Sequence, residues 1–422
     1  MINKPLSILK YMSSRDSMID VDKEYKKRID SPSAALTNLF PLLSSRSESQ
    51  HNDLPIFFIE TFKMAQLNSK IFKNSADILK LSNSLPDIAK NNYISSLLSN
   101  EINSSNEIEQ VKTNRHDIST IVDSLQSNII PKQPRLVSTV KKYLGILNEP
   151  RITISELKDY RKIYDELTSG EIPQNKLPDG ELFRNSSVTI GTSDNSKIVH
   201  RPPISENTIK SKLTSLISFM NNDEFPIVEK AIVTHFMFEN THPFYDGNGR
   251  MGRYLLTQYL IKKIDTFTAL SISKSIQDHE KLYYQSFADA DKYENYAELT
   301  YFIESMMQII IYGQETALDK MTELQSMLNS YGQIINAHFA NNGVISDVLF
   351  IFVQSKLFSI DTPLGIKDTE LINMLYRDDS KKYKKNNVKK IINNLENEGF
   401  LKLVNGNPIQ HEVIMDKIDD LT

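Results

Sequence analysis

Between Pro226 and Asn240 the sequence is apolar on nearly every side of a helix, with Ile227, Val228, Ala231, Ile232, Val233, Phe236, Met237 and Phe238 spread around it. A helix with no continuous polar face has to lie at the centre of a domain. It runs directly into HPFYDGNGRMGR, residues 242 to 253. A second helix is expected from Gly249 to about Ile264, carrying Leu255, Leu256, Tyr259 and Leu260. The chain must therefore build a helical core around a tight loop that opens onto a helix N-terminus.

That loop carries chemistry. Gly247, Asn248 and Gly249 permit backbone angles that turn several N–H groups into one concavity suited to anions. The following helix adds its positive dipole end and its unpaired N–H groups. Arg250 and Arg253, with Met251 and Gly252 between them, fall on roughly one helix face and can fork onto successive phosphates. Asp246 is a hard oxygen ligand of the kind that holds Mg²⁺ beside substrate oxygens. His242 titrates near neutrality and can take a proton from an incoming hydroxyl. A Gly-Asn-Gly turn alone is usually only a turn, and a His-Pro pair at a helix end is often a cap. Their combination within twelve residues describes a phosphoryl-transfer site. His235 reads as a core residue.

Helical patterning dominates elsewhere, so the expected class is mainly α. Residues 1–50 are Ser-, Asp- and Lys-rich and weakly patterned, which predicts a loose lead segment, with partial order left open. Residues 51–152 read as a helical region, with apolar residues recurring at three- and four-residue spacing from Leu54. A catalytic core follows over 153–312. Within it Val188 and Ile190 alternate with polar residues and Ile198 and Val199 follow a polar turn, the pattern of a β-hairpin. Separate helices are expected at Tyr296–Tyr312 and Thr316–Ala340, the second a linking helix over 313–340. Residues 341–422 read as three helices and a terminal strand–turn–strand, the plan of a winged helix-turn-helix.

Composition narrows the classes. The 422 residues suffice for two or three domains. There is no cysteine, which excludes disulfide scaffolds, thiolate metal sites and cysteine nucleophiles. A net charge of −4 means that any nucleic-acid-binding surface is local. The N-terminus does not read as a signal peptide and no apolar run could span a bilayer, so a soluble cytoplasmic protein with no membrane partner is expected.

HPFYDGNGRMGR resembles the Fic family motif HPFx(D/E)GNGRxxR and agrees with it at all nine defined positions in a window of twelve. The resemblance implies the helical Fic core with its β-hairpin flap, ATP as the usual donor, Mg²⁺ as cofactor and pyrophosphate as leaving group. By position, His242 would be the general base and Asp246 the metal ligand. Asn248, Gly249 and Arg250 would hold the α- and β-phosphates, Arg253 would reach the γ-phosphate, and Phe244 would anchor the loop in the core. Relatives of the Doc kinase type carry a lysine in place of the second glycine and bind the nucleotide reversed. Gly249 therefore implies nucleotidyl transfer rather than phosphorylation.

Three further segments are similar to the family. LFRNSSVTIGTS resembles the Fic flap, which registers a target chain by strand addition. Ile190, Gly191, Thr192 and Ser193 would border the nucleotide, in a flap longer than usual before Pro202-Pro203. HEKLYYQSFADAD resembles the helix beyond the motif, where Tyr283 and Tyr284 either pack on the nucleotide base or are plain core aromatics. SSNEIEQVKTNRHDI resembles the inhibitory segment (S/T)xxxE(G/N), with Gln110 where Gly or Asn is expected. In relatives its glutamate pairs with the second motif arginine. Carried over, Glu109, one helical turn from Ser105, would pair with Arg253 and leave ATP in a non-productive pose.

The expected function is transfer of AMP from ATP to a Tyr, Thr or Ser hydroxyl of a target protein, or of the chain itself, with a homodimer left open. Transfer of UMP, GMP or phosphocholine, or removal of AMP, would use the same groups. Arg377, Lys381, Lys382, Lys384, Lys385, Lys389, Lys390 and Lys402 make the C-terminal module locally basic. It would contact DNA or a protein partner. A nucleotide-sensing DNA-binding regulator is the alternative of a different class, against which an intact His242 argues.

Overall fold

The computed structural model describes residues 4–45, 50–127, 130–131, 135–149, 154–191, 198–359 and 365–421. The protein is mainly α. In chain order the helices are α1 (Leu6–Ser13), α2 (Val21–Ile29), α3 (Phe62–Asn83), α4 (Asp87–Ile108), α5 (Arg115–Gln126), α6 (Val137–Asn148), α7 (Leu157–Leu167), α8 (Glu206–Met220), α9 (Ile227–Thr241), α10 (Asn248–Lys263), α11 (Thr266–Ala269), α12 (Ile272–Asp278), α13 (Glu280–Ala290), α14 (Thr300–His338), α15 (Gly343–Phe358), α16 (Asp368–Asp378), α17 (Lys385–Asn397) and α18 (Met415–Asp419). Strands are short. Ala34–Leu36 pairs with Phe57–Ile59, Leu43–Ser44 with Gln50–His51, and Ile190–Gly191 with Ile198–His200, all antiparallel.

The elements divide into two compact units. The first comprises Met1–Ser75, Glu101–Thr113 and Pro131–Glu315. Its centre is α9, where Val228, Ile232, Val233, Phe236, Met237 and Phe238 are all buried, as an all-round apolar helix requires. Ser205 caps α8 by accepting a hydrogen bond from the Thr208 N–H, and α8 and α10 pack against α9. The α9 helix ends where His242 takes a left-handed conformation, φ 46° and ψ 64°, so the chain turns sharply into the motif loop.

Of residues 1–50, the described ones, 4–45 and 50, are ordered around two short helices. Asp20 caps α2 through the Lys23 N–H, and Leu6, Leu9 and Val21 join Phe57 and Ile59 in one apolar cluster. Arg28 is fully buried and donates to Glu298 at 2.7 Å and Glu24 at 3.2 Å. The two helices have eight and nine residues, too short for periodicity to stand out, and their partners lie far along the chain.

The two helices expected over 296–312 and 316–340 are one, α14, of 39 residues. Gly313 does not interrupt it. A Cβ there would come within 3.3 Å of Ser271 and Ser275, so the glycine lets α12 approach closely. The connection after α10, with no strong periodicity of its own, forms α11 and α12.

The second unit comprises Ala76–Asn100, Asn114–Ile130 and Thr316–Thr422. Tyr93 meets Phe358 edge-on at 6.3 Å in its interior. Its C-terminal part runs from α15 through Ile366–Lys367 to α16, α17 and the hairpin Leu401–Gly406 and Ile409–Val413. The three strands form an antiparallel sheet with Ile409–Val413 central. Val388, Ile391, Ile392 and Leu395 form the buried stripe of α17, while Lys389 and Lys390 face outward. Among the described residues no helix is long and apolar enough to cross a membrane.

Candidate active site

The loop 242–247 joins α9 to α10, and its shape is set by four groups. Phe244 is fully buried and stacks on Tyr164, ring centroids 3.7 Å apart and 10° from parallel. Asn248 closes the loop from within: its Oδ1 accepts from the Phe244 N–H at 2.9 Å and its Nδ2 donates to the Phe244 carbonyl at 2.8 Å. Gly247 has φ 81°, an angle that a side chain would strain. Arg184, fully buried, donates through Nε to the His242 carbonyl at 2.8 Å and through Nη1 to the carbonyls of Ser186 and Pro203. It ties the loop to both ends of the flap.

These bonds bear on stability. Asn248→Ala strands two buried backbone groups, each costing about 1–3 kcal/mol. Denaturant unfolding should show a loss of about 2–6 kcal/mol. A loss below about 0.5 kcal/mol would mean that Asn248 does not hold the loop.

The first turn of α10 presents N–H groups that have no intrahelical acceptor, at the positive end of a 16-residue helix. Because its side chain is spent on Phe244, Asn248 can offer an anion only its backbone N–H. The Nε of Arg250 is buried without a hydrogen-bond partner, a donor that a phosphate oxygen would satisfy. Its Nη1 donates to Glu171 at 2.8 Å.

Asp246 is partly exposed, with Oδ2 2.9 Å from Lys176 Nζ and Oδ1 4.0 Å from Arg250 Nη2. Among the described residues no group of three or more His, Asp or Glu could hold a metal ion. One carboxylate beside an anion cradle fits Mg²⁺, which takes its remaining ligands from phosphate and water. It does not fit a protein-caged metal.

His242 is half-buried, and its imidazole is held far below the usual range, at about 3. Burial is the main cause, followed by the charges of His200 and Arg184; the Glu239 carbonyl and Asp246 pull weakly the other way. A neutral ring at physiological pH is the form that accepts a proton. His200 is fixed separately, with Nε2 2.8 Å from the Asn240 carbonyl and Nδ1 3.2 Å from Asp291.

Arg253 is also almost fully buried. Its Nε donates to Ser105 Oγ at 3.0 Å, and its Nη2 to the Ser105 carbonyl at 2.8 Å and to Glu109 Oε1 at 2.9 Å. Burial alone would lower its pKa, but the net shift is upward, led by Glu109. The end of α4 is held in place by Glu101, a fully buried carboxyl that accepts from Ser273 N and Oγ at 2.8 and 2.6 Å and from Thr257 Oγ1 at 2.9 Å. Ser105 and Glu109 follow it at successive turns. Gln110 closes the helix at φ 57°, where Gly or Asn would sit without strain. The Glu109 carboxylate lies over Gly249 so closely that a Cβ there would collide with it. It occupies the mouth of the cradle.

Other expected residues fall less centrally. Ile190 and Gly191 pair with His200 and Ile198 across the flap, while Thr192 and Ser193 lie outside the described residues. Tyr283 is a core aromatic, its hydroxyl 2.8 Å from His235 Nε2, so only the half-exposed Tyr284 presents a free ring face. His235 is buried, as the sequence suggested. Arg184, Glu171 and Lys176 were not foreseen, because isolated charges in loops carry no periodic signal. Glu239 was also missed; burial raises its carboxyl to about 8, with Arg253 opposing and Glu109 adding.

The loop, the cradle and both arginines lie within one matched segment. Residues 153–260 match the model of the Fic/DOC family, and this segment is a Fic/DOC domain. Over 101 residues the chain is 32% identical to a probable protein adenylyltransferase of Aquifex aeolicus, a match spanning 24% of this chain and 28% of that protein. The chain thus covers under a third of that relative's length. Among solved structures, a Fic family protein from Desulfovibrio desulfuricans aligns over 84% of this chain and 96% of its own, at 17% identity and TM-score 0.49. Fic-1 from C. elegans aligns over 61% of this chain and 74% of its own, at 15% identity and TM-score 0.40. The matched segment begins at residue 153, so Ser105 and Glu109, which precede it, lie outside it.

Proposed function

We propose that this chain is a Fic-type protein adenylyltransferase that restrains itself through Glu109. The observation that carries the reading is the meeting, at one helix start, of a neutral histidine, an anion cradle and two arginines, each arginine paired to a carboxylate. The triphosphate of ATP would lie on the first N–H groups of α10, with Arg250 and Arg253 on its oxygens. Asp246 would hold Mg²⁺, which neutralises phosphate charge when bound. A target hydroxyl then attacks the α-phosphorus, its proton passes to His242, and the bond to the β-phosphate breaks to release pyrophosphate. The flap strands offer an edge on which a target segment would add.

The carboxylate of Glu109 supports the inhibitory part. An anion over Gly249 and on Arg253 competes for the place that a γ-phosphate would take. The relative named as an adenylyltransferase supports AMP over other groups. Incubation with α-labelled ATP, UTP and GTP tests the choice of base. Dominant labelling from ATP is expected, and equal or greater labelling from another triphosphate would reassign the donor.

We propose that the C-terminal α15–α18 segment and its three-stranded sheet form a winged helix that contacts DNA or a protein partner. Lys381, Lys384, Lys389 and Lys390 are exposed, whereas Lys382 is held by Asp347 at 2.7 Å and Lys385 by Asn373 at 2.7 Å. Duplex DNA should be retarded in gel shifts at 50 mM salt and released as salt rises. Absence of retardation at low salt would make the module a protein-binding one.

A further inference from the structure

Away from the phosphate cradle, α9, α10 and the end of α8 line a partly open cavity of about 260 Å³ within the first unit. Its apolar wall is formed by Met220, Phe238, Leu255 and Leu256. Two of its lining residues carry buried donors without partners. Gln258 is 94% buried with Nε2 unsatisfied, and the Tyr259 hydroxyl is likewise buried and unsatisfied. Three lysines also line it. Lys230 is tied to the Asn222 carbonyl and to Asp223, while Lys262 and Lys263 are exposed at the end of α10. Leu255, Tyr259 and Lys262 recur at helical spacing, so one face of α10 grades from apolar to donor to cation.

We propose that this cavity is a binding site for a small amphipathic carboxylate. Buried donors without acceptors are unfavourable, and a ligand bringing acceptor oxygens would remove that cost. The two unpaired lysines select an anion, since Asp223 is already neutralised by Lys230. The wall selects an apolar body. A dry cavity of about 150 Å³ accepts one benzene ring, so this one takes about a fused two-ring body. The site is distinct from the cradle but shares α10 with it, through Gly252. The inference does not rest on the reading of the catalytic site.

Calorimetric titration of the full chain with 1-naphthoate and with the neutral 1-naphthalenemethanol tests it. The expected result is 1:1 binding, with the carboxylate favoured about tenfold or more. Gln258→Leu should weaken naphthoate at least tenfold, and Ala231→Leu, which fills the cavity, should remove binding of both probes. The exposed pair Lys262→Ala with Lys263→Ala leaves the core untouched; it should weaken naphthoate and spare the alcohol, and it decides the matter should a core variant fail to fold. No naphthoate binding at millimolar concentration overturns the proposal. So does equal affinity for the two probes, or binding unchanged by the lysine variant.

Discussion

Replacing Glu109 with glycine should raise labelling of the chain by α-labelled ATP about 10–100-fold. The magnitude follows from the bond removed. A hydrogen bond between ions contributes about 1.5–3 kcal/mol, and each 1.4 kcal/mol is a factor of ten. The variant should stay folded. The α4 helix keeps its anchor at Glu101, and Arg253 keeps both bonds to Ser105, so the guanidinium is not left wholly unpaired. A single melting transition lowered by no more than a few degrees would show that the variant is folded and that the gain comes from the site. Labelling equal to that of the unaltered chain would mean that Glu109 does not restrain the reaction.

His242→Ala, made in the Glu109→Gly background, should lower labelling by about 10²–10⁴ while leaving ATP binding within a few fold. The substitution removes the base but not the loop. Arg184 bonds the backbone carbonyl at position 242, and Asn248 still closes the turn. Retained labelling, or ATP binding lost together with labelling, would remove His242 from the role of base. The ring's depressed pKa gives a second readout. A group held at about 3 stays neutral as pH falls through 6.5, where an unperturbed imidazole gains its proton. In the nucleotide-free chain the His242 ring signals should therefore not titrate between pH 8 and pH 5.5.

The parts of this structure that were legible in the sequence are local. An all-round apolar α9, a glycine-rich loop and the first residues of α10 are contiguous, so patterning and chemistry coincide in one window. The inhibitory segment was legible only by likeness, because SxxxE at helical spacing is common; the structure adds that Gln110 sits at the left-handed position where Gly or Asn is unstrained. The rest was hidden for physical reasons. Gly313 reads as a break, yet it serves close packing inside one long helix. The N-terminal residues depend on Arg28 reaching Glu298, and the loop's hold on the flap depends on Arg184. Such long-range polar ties leave no period in the chain.

The central claim is that a nucleotide's α-phosphorus is attacked at the His242 site. The most direct test is to incubate the Glu109→Gly chain with ATP labelled either at the α- or at the γ-phosphate and count label retained on protein. The account predicts retention of the α-label only, with the γ-label recovered as pyrophosphate. Retention of the γ-label, or of neither, would contradict it.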